Sequence, residues 1–104
     1  MTRIMAIYPN SAGSSFNSDY YIGIHAVFAK KLLAGHGLIE IRSLLGSQAL
    51  DGTPPTIWAI SEMVFSSREA FDLAMAAHGA NLFADLSNYT DVTPVLQVGT
   101  LVAV

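Results

Sequence analysis

The sequence predicts an α+β domain of order βαββαβ, and three observations predict it. Four segments with strand-like alternation and two helical stretches succeed one another in that order along the chain. Right-handed crossovers then bring both helices to one face of a four-stranded antiparallel sheet, the split βαβ arrangement of ferredoxin-like folds. Finally, the strands are apolar on both sides: Ile57, Ala59, Met63 and Phe65 alternate with Trp58, Ile60 and Val64 in the third, and Val95 and Leu101 with Leu96, Val98 and Val102 in the fourth. The face without helices therefore needs a cover of its own. Two copies packed sheet to sheet supply it, which predicts a dimeric α+β barrel.

Residues 2–8 read as the first strand, closed by Pro9-Asn10 and a Ser/Gly turn. A helix is expected over 17–33. Asn17 caps it, Asp19 suits the positive end of its dipole, and Phe16 is placed to staple against Tyr21. At about 100° per residue, Tyr20, Tyr21, Ile24, Val27, Phe28 and Leu32 make one apolar arc with His25 at its edge. Gly35 and Gly37 suit its end. Strand two covers 38–45, a hairpin loop 46–55, and strand three 57–65. Ser66-Ser67-Arg68-Glu69 reads as a capping box opening a helix to about Ala77, with Gly79 as its stop. A shorter helical piece over 81–86, an irregular 87–91 and a fourth strand over 93–102 complete the chain as a single domain, 1–104.

Composition narrows the function classes. Only 12% of residues are charged against 52% hydrophobic, where ordinary domains carry roughly 25% charged residues. So little charge in a small domain argues for apolar surface buried against a second subunit. No apolar run approaches the roughly 18–20 residues of a spanning helix, and the apolar stretch after Arg3 ends at Pro9 without a signal-peptide cleavage pattern. A cytoplasmic homodimer without membrane contact is the expectation. The absence of cysteine excludes disulfides, thiolate catalysis and cysteine zinc sites. A net charge of −3 with five scattered basic residues argues against nucleic acid.

Five residues are candidates for chemistry. His25 is an acid/base or a polar anchor between the first helix and the sheet, and Tyr21, one turn earlier, is placed to hydrogen-bond with it or with a ligand. Tyr8, Phe28 and Trp58 are candidate walls of a ligand crevice; a packed aromatic with a satisfied indole N–H is the plainer role for Trp58. His36, between two glycines, and His78, near a helix end, read as solvated histidines, and no metal-ligand spacing is present. Glu62 shares a face with Trp58, Ile60 and Val64 and calls for Arg42 or Arg3 as a partner. Asn88 and Asp91 read as turn-forming side chains.

A set of motifs in order along the chain carries a family resemblance. They are Tyr8-Pro9-Asn10, Phe16 with Asp19-Tyr20-Tyr21 and His25, Asp51-Gly52-Thr53-Pro54-Pro55, Asn88-Tyr89-Thr90-Asp91, and Pro94-Val95-Leu96-Gln97-Val98-Gly99. Together they resemble the EthD family, named for a protein linked to ethyl tert-butyl ether degradation. The resemblance implies a ferredoxin-like α+β barrel dimer and a role in the catabolism of small ethers or aromatics. It also implies either a cofactor-free active site built on His25 or a non-catalytic binder or accessory subunit beside an oxidase. Where the family pattern follows the helix histidine with Met-Pro, this chain has Ala26-Val27.

Overall fold

Alternation along the strands decides what the sheet buries. In the computed structural model, which describes residues 1–104, β1 (Thr2–Pro9), β2 (Leu38–Leu45), β3 (Ile57–Phe65) and β4 (Val95–Gly99) form one antiparallel sheet in the order β2-β3-β1-β4. Ile4, Ala6 and Tyr8 lie opposite Met63, Ser61 and Ala59, so these residues share the face on which the helices pack. Register sends Met5 and Ile7 of β1, Ile60 and Glu62 of β3, Leu44 of β2 and Val95 of β4 to the other face. No helix covers that face, and Leu44 and Val95 stand 70% and 56% exposed on it. Glu62 receives both expected partners there, Arg3 at 3.0 Å and Arg42 at 2.9 Å.

The first helix, α1 (residues 18–33), runs as Ser18–Tyr20, a π-helical turn Tyr21–His25, and Ala26–Leu33. Asn17 Oδ1 accepts from the Tyr20 amide at 3.1 Å, and the Phe16 and Tyr21 rings meet at 5.1 Å, so cap and staple both form. The apolar arc is corrected. Ile24 and Val27 are 53% and 47% exposed, while Tyr21, His25, Ala29 and Leu33 are buried. In the π turn the Ala26 amide reaches back five residues to the Tyr21 carbonyl, a wider turn than the α-helical period on which the arc rests. His25, the last residue of that turn, lies on the buried side of the helix and not at its edge. A 3₁₀ turn, Ala34–His36, follows, and Gly37 at φ +84° ends the helix.

The second helix, α2 (Arg68–Ala84), departs further from expectation. Ser67 is its cap and accepts from the Ala70 amide at 3.0 Å; Glu69 lies one position too early to return the bond, so the reciprocal half of the box is missing. Gly79 does not stop this helix. It is buried within it, against Met75, and the helix runs unbroken through the second helical piece expected over 81–86. The fourth strand is shorter than expected. Arg3 pairs with Gly99 and β1 begins at Thr2, so Leu101 and Val102 find no neighbouring strand to extend on.

The helix-covered face holds two clusters. Ile4, Leu33, Phe65, Phe71 and Ala74 form an aliphatic and phenylalanine core at one end. Ala6, Tyr8, Tyr21, Ala59 and Tyr89 form a tyrosine-rich core at the other.

Candidate active site at an apolar cavity

Between the two cores lies a cavity of about 70 Å³, lined by residues of both. Thirteen of its sixteen lining residues are hydrophobic, so the few polar groups that reach it decide what it can recognise. Phe83 and Leu96, 47% and 42% exposed, line it where it opens to solvent. A sealed apolar cavity of about 150 Å³ accommodates a benzene ring. This one has about half that volume.

His25 reaches the cavity from the π turn, and Tyr21 stacks on its ring at 5.9 Å and 17°. Such turns in otherwise regular helices recur at functional sites. His25 Nδ1 lies 2.9 Å from Asp85 Oδ2. Asp85 caps the C-terminus of α2, where the helix dipole disfavours a carboxylate. Three donors compensate: the Tyr20 hydroxyl at 2.7 Å, Asn88 Nδ2 at 2.9 Å, and His25. Burial pushes the Asp85 carboxyl up, but the bonds from Asn88, His25 and Tyr20 outweigh it and hold the group below its ordinary range. In return, the bond to Asp85 raises the Tyr20 hydroxyl.

An ionised carboxylate only accepts, so the proton of a neutral His25 sits on Nδ1. Nε2 then keeps its lone pair and has no protein partner. The resulting unit is a carboxylate–imidazole dyad, oriented on one side and free on the other, which is the arrangement general acid–base chemistry requires.

Two of the surrounding tyrosines, Tyr8 and Tyr89, are held in the neutral form. The Tyr8 and Tyr89 hydroxyls share a hydrogen bond at 2.8 Å. Burial pushes Tyr8 up to about 12, and burial together with the Tyr8 bond raises Tyr89 as well. The Tyr89 ring centroid stands 4.7 Å from that of His25. The Tyr21 hydroxyl shares a hydrogen bond with the Ser43 hydroxyl, at 3.1 Å, and makes none to His25. Stacking, rather than a hydrogen bond, is how Tyr21 holds the imidazole.

Of the five residues singled out from the sequence, the structure brings His25, Tyr21 and Tyr8 together at the cavity. Phe28 and Trp58 stand apart from its lining. Phe28 is half-buried on α1. Trp58 stacks on Phe16 at 6.2 Å and donates its indole N–H to Ser14 at 3.0 Å. Sequence reasoning missed Asp85 and Ser61, and it took Tyr89 only as part of a motif. A signal for Asp85 did exist, since an aspartate at the unfavourable end of a helix needs a reason.

The two remaining histidines are not solvated termini. His78 lies inside α2, because the helix continues past it, and its Nε2 is 3.0 Å from Nε2 of His36. Both are half-buried. No group of three or more His, Asp or Glu side chains that could hold a metal ion is assembled, and no helix is long and apolar enough to cross a membrane.

Fold and site together define a ferredoxin-like α+β domain with an aspartate–histidine dyad at an apolar cavity. A crystal structure of an EthD-like protein from Ralstonia eutropha JMP134 is 32% identical over 98% of this chain and 92% of its own, with a TM-score of 0.88. The chain belongs to the EthD-like family. An ethyl tert-butyl ether degradation family protein from Bacillus halodurans shares the fold at 18% identity over 98% and 99% of the two chains, TM-score 0.75. SnoaB from Streptomyces nogalater, a cofactor-independent oxygenase, does so at 14% identity over 99% and 93%, TM-score 0.62. No protein-family model and no curated protein sequence matches the chain.

Proposed function

We propose that the cavity binds a small apolar organic molecule and that His25 moves a proton on it, without a cofactor, in a catabolic or biosynthetic route. The observation that carries this reading is the His25–Asp85 contact at 2.9 Å. It fixes the imidazole tautomer and leaves Nε2 for a ligand, in a cavity otherwise apolar. Asp85 acts as a positioning residue: it orients His25 and stabilises the imidazolium once a proton arrives. Tyr21 supports the ring from its face, and Tyr8 closes the cavity as a neutral wall.

The bare sheet face supports a homodimer. Leu44 and Val95 are exposed on its two opposite edge strands, on either side of the Arg3–Glu62–Arg42 ion network. Placing Lys at Leu44 is expected to convert a dimer to a monomer in sedimentation velocity; a wild-type monomer would remove this part of the reading.

The test of the site is a thermal-shift screen against small ethers, phenols, lactones and aromatic acids, with His25→Ala in parallel. A ligand at about 100 times its dissociation constant adds about 2.7 kcal/mol. A hit that His25→Ala loses, and that wild type converts to a product detectable by chromatography, is the expected result. Binding without product would make the protein a carrier. No hit at all, with co-purification of an oxidase, would make it an accessory subunit.

A further inference from the structure

Among the polar groups that line the cavity, most are already committed. Tyr8 is bonded to Tyr89, Tyr21 to Ser43, and His25 Nδ1 to Asp85. Two atoms remain: His25 Nε2 and the hydroxyl of Ser61. Ser61 is 6% exposed, in the middle of β3, and its hydroxyl makes no hydrogen bond to the protein, unlike those of Ser14, Ser43 and Ser67. Yet no sealed side-chain polar atom of the molecule lacks a partner. The Ser61 hydroxyl must therefore open onto the cavity it lines. A serine here is not required by packing, since Ala6 and Ala59 occupy the neighbouring positions of the same face.

Resting on the reading of the cavity as a ligand site, we infer that Ser61 reads an oxygen of the ligand, and that this oxygen belongs to a hydroxyl. The chemistry discriminates between oxygen types. Neutral His25 offers Nε2 as an acceptor, whereas Ser61 can donate. A carbonyl or ether oxygen satisfies Ser61 but sets its lone pairs against that of Nε2. A hydroxyl satisfies both, accepting from Ser61 and donating to Nε2. The ligand class is a compact apolar molecule with one acidic hydroxyl, a phenol or an enol, and the proton His25 takes is the one on that oxygen. The O–H bond breaks, the proton passes to Nε2, and Ser61 holds the phenolate or enolate oxygen that remains.

The experiment compares three probes of matched size, phenol, anisole and toluene, by NMR titration of the wild-type protein, Ser61→Ala and Ser61→Cys. Wild type is expected to bind phenol about 3- to 10-fold more tightly than toluene, the range of one net hydrogen bond. Anisole should fall near toluene. Both variants should bind toluene as wild type does and show a reduced preference for phenol, because only the bond to His25 Nε2 is left. The cysteine variant keeps the volume and removes most of the hydrogen-bonding power, which guards against a packing effect in the alanine variant. Ser43→Ala, whose hydroxyl is committed to Tyr21, should leave the preference unchanged. Equal binding of phenol and toluene by wild type, or a preference that is undiminished in both Ser61 variants, would overturn the assignment while leaving the cavity a ligand site. Failure of all three probes to bind would overturn the cavity reading as well.

Discussion

The molecule holds two histidine contacts of nearly equal length and opposite character. His25 faces a carboxylate at 2.9 Å, whereas His36 and His78 face each other at 3.0 Å. In the first, the partner can only accept, so the tautomer is fixed and one ring nitrogen stays free beside a cavity. In the second, either ring can be the donor and neither nitrogen of the contact is left for a ligand. The second contact ties the 3₁₀ end of α1 to the middle of α2. One histidine keeps a ring nitrogen free beside the cavity, and the other two are a staple. The difference lies in their partners.

The largest expected effect comes from removing the support of the first site. Tyr21 is 1% exposed, stacks on His25 and packs against Tyr8, Phe16 and Tyr89. Truncating a buried aromatic costs about 3–5 kcal/mol, so Tyr21→Ala should lower the urea midpoint well below that of any change at the staple. Tyr21→Phe loses only the hydroxyl bond to Ser43, and about 0.5–1.5 kcal/mol is expected for it. A Tyr21→Ala protein as stable as wild type would show that the site is not built on this core.

Asp85→Ala comes next. It strands the donor of buried His25, with those of half-buried Tyr20 and exposed Asn88, and leaving a buried donor without an acceptor costs about 1–3 kcal/mol. His78→Ala removes one half-buried contact, for which about 0.5–1.5 kcal/mol is expected. Chemical denaturation of the two variants side by side tests the ordering, and a costlier His78→Ala would reverse the assignment of roles.

The same carboxylate gives the comparison a pH axis. Asp85 is held below its ordinary range in the folded protein. A depressed folded value means that its contribution to stability is complete above the unfolded value, about 4, and is lost as pH falls through the folded one. Wild type should therefore lose stability below about pH 4 more steeply than Asp85→Asn. Parallel curves for the two proteins, measured by urea unfolding across that window, would remove Asp85 as the source.

These features differ in how far the sequence disclosed them. The strands were legible because alternation survives in Ile4, Ala6 and Tyr8 and in Ala59 and Phe65, and because the turn residues around them are unambiguous. The histidine of the site was legible from its place on α1, but its partner was not. Asp85 is sixty positions away, on a helix that Gly79 made look finished. The π turn was also hidden, since nothing in Tyr21-Ile22-Gly23-Ile24-His25 distinguishes it from an α-helical turn until the cores on either side are packed. Ser61 was overlooked for the opposite reason: a lone serine inside an apolar strand looks like noise unless the cavity in front of it is known.

The last comparison tests the staple through two glycines beside it. Gly37 follows His36 and adopts φ +84°, and a Cβ there would stand 2.7 Å from Ser66 Oγ and 3.0 Å from Ala70 Cβ. A left-handed backbone costs a non-glycine residue about 1–2 kcal/mol before that crowding, so Gly37→Ala should destabilise the protein by at least this much. Gly79 follows His78 inside α2, and a Cβ there would meet only Met75, at 3.7–3.8 Å, an ordinary contact. Alanine is favoured over glycine in a helix interior by up to about 1 kcal/mol, so Gly79→Ala should stabilise the protein by up to that amount. The two substitutions are chemically identical and flank the two halves of one histidine contact, so opposite signs in thermal unfolding isolate backbone conformation from packing. A loss at Gly79 would mean that Met75 cannot accommodate even a methyl group, and that the glycine serves close packing beneath the staple.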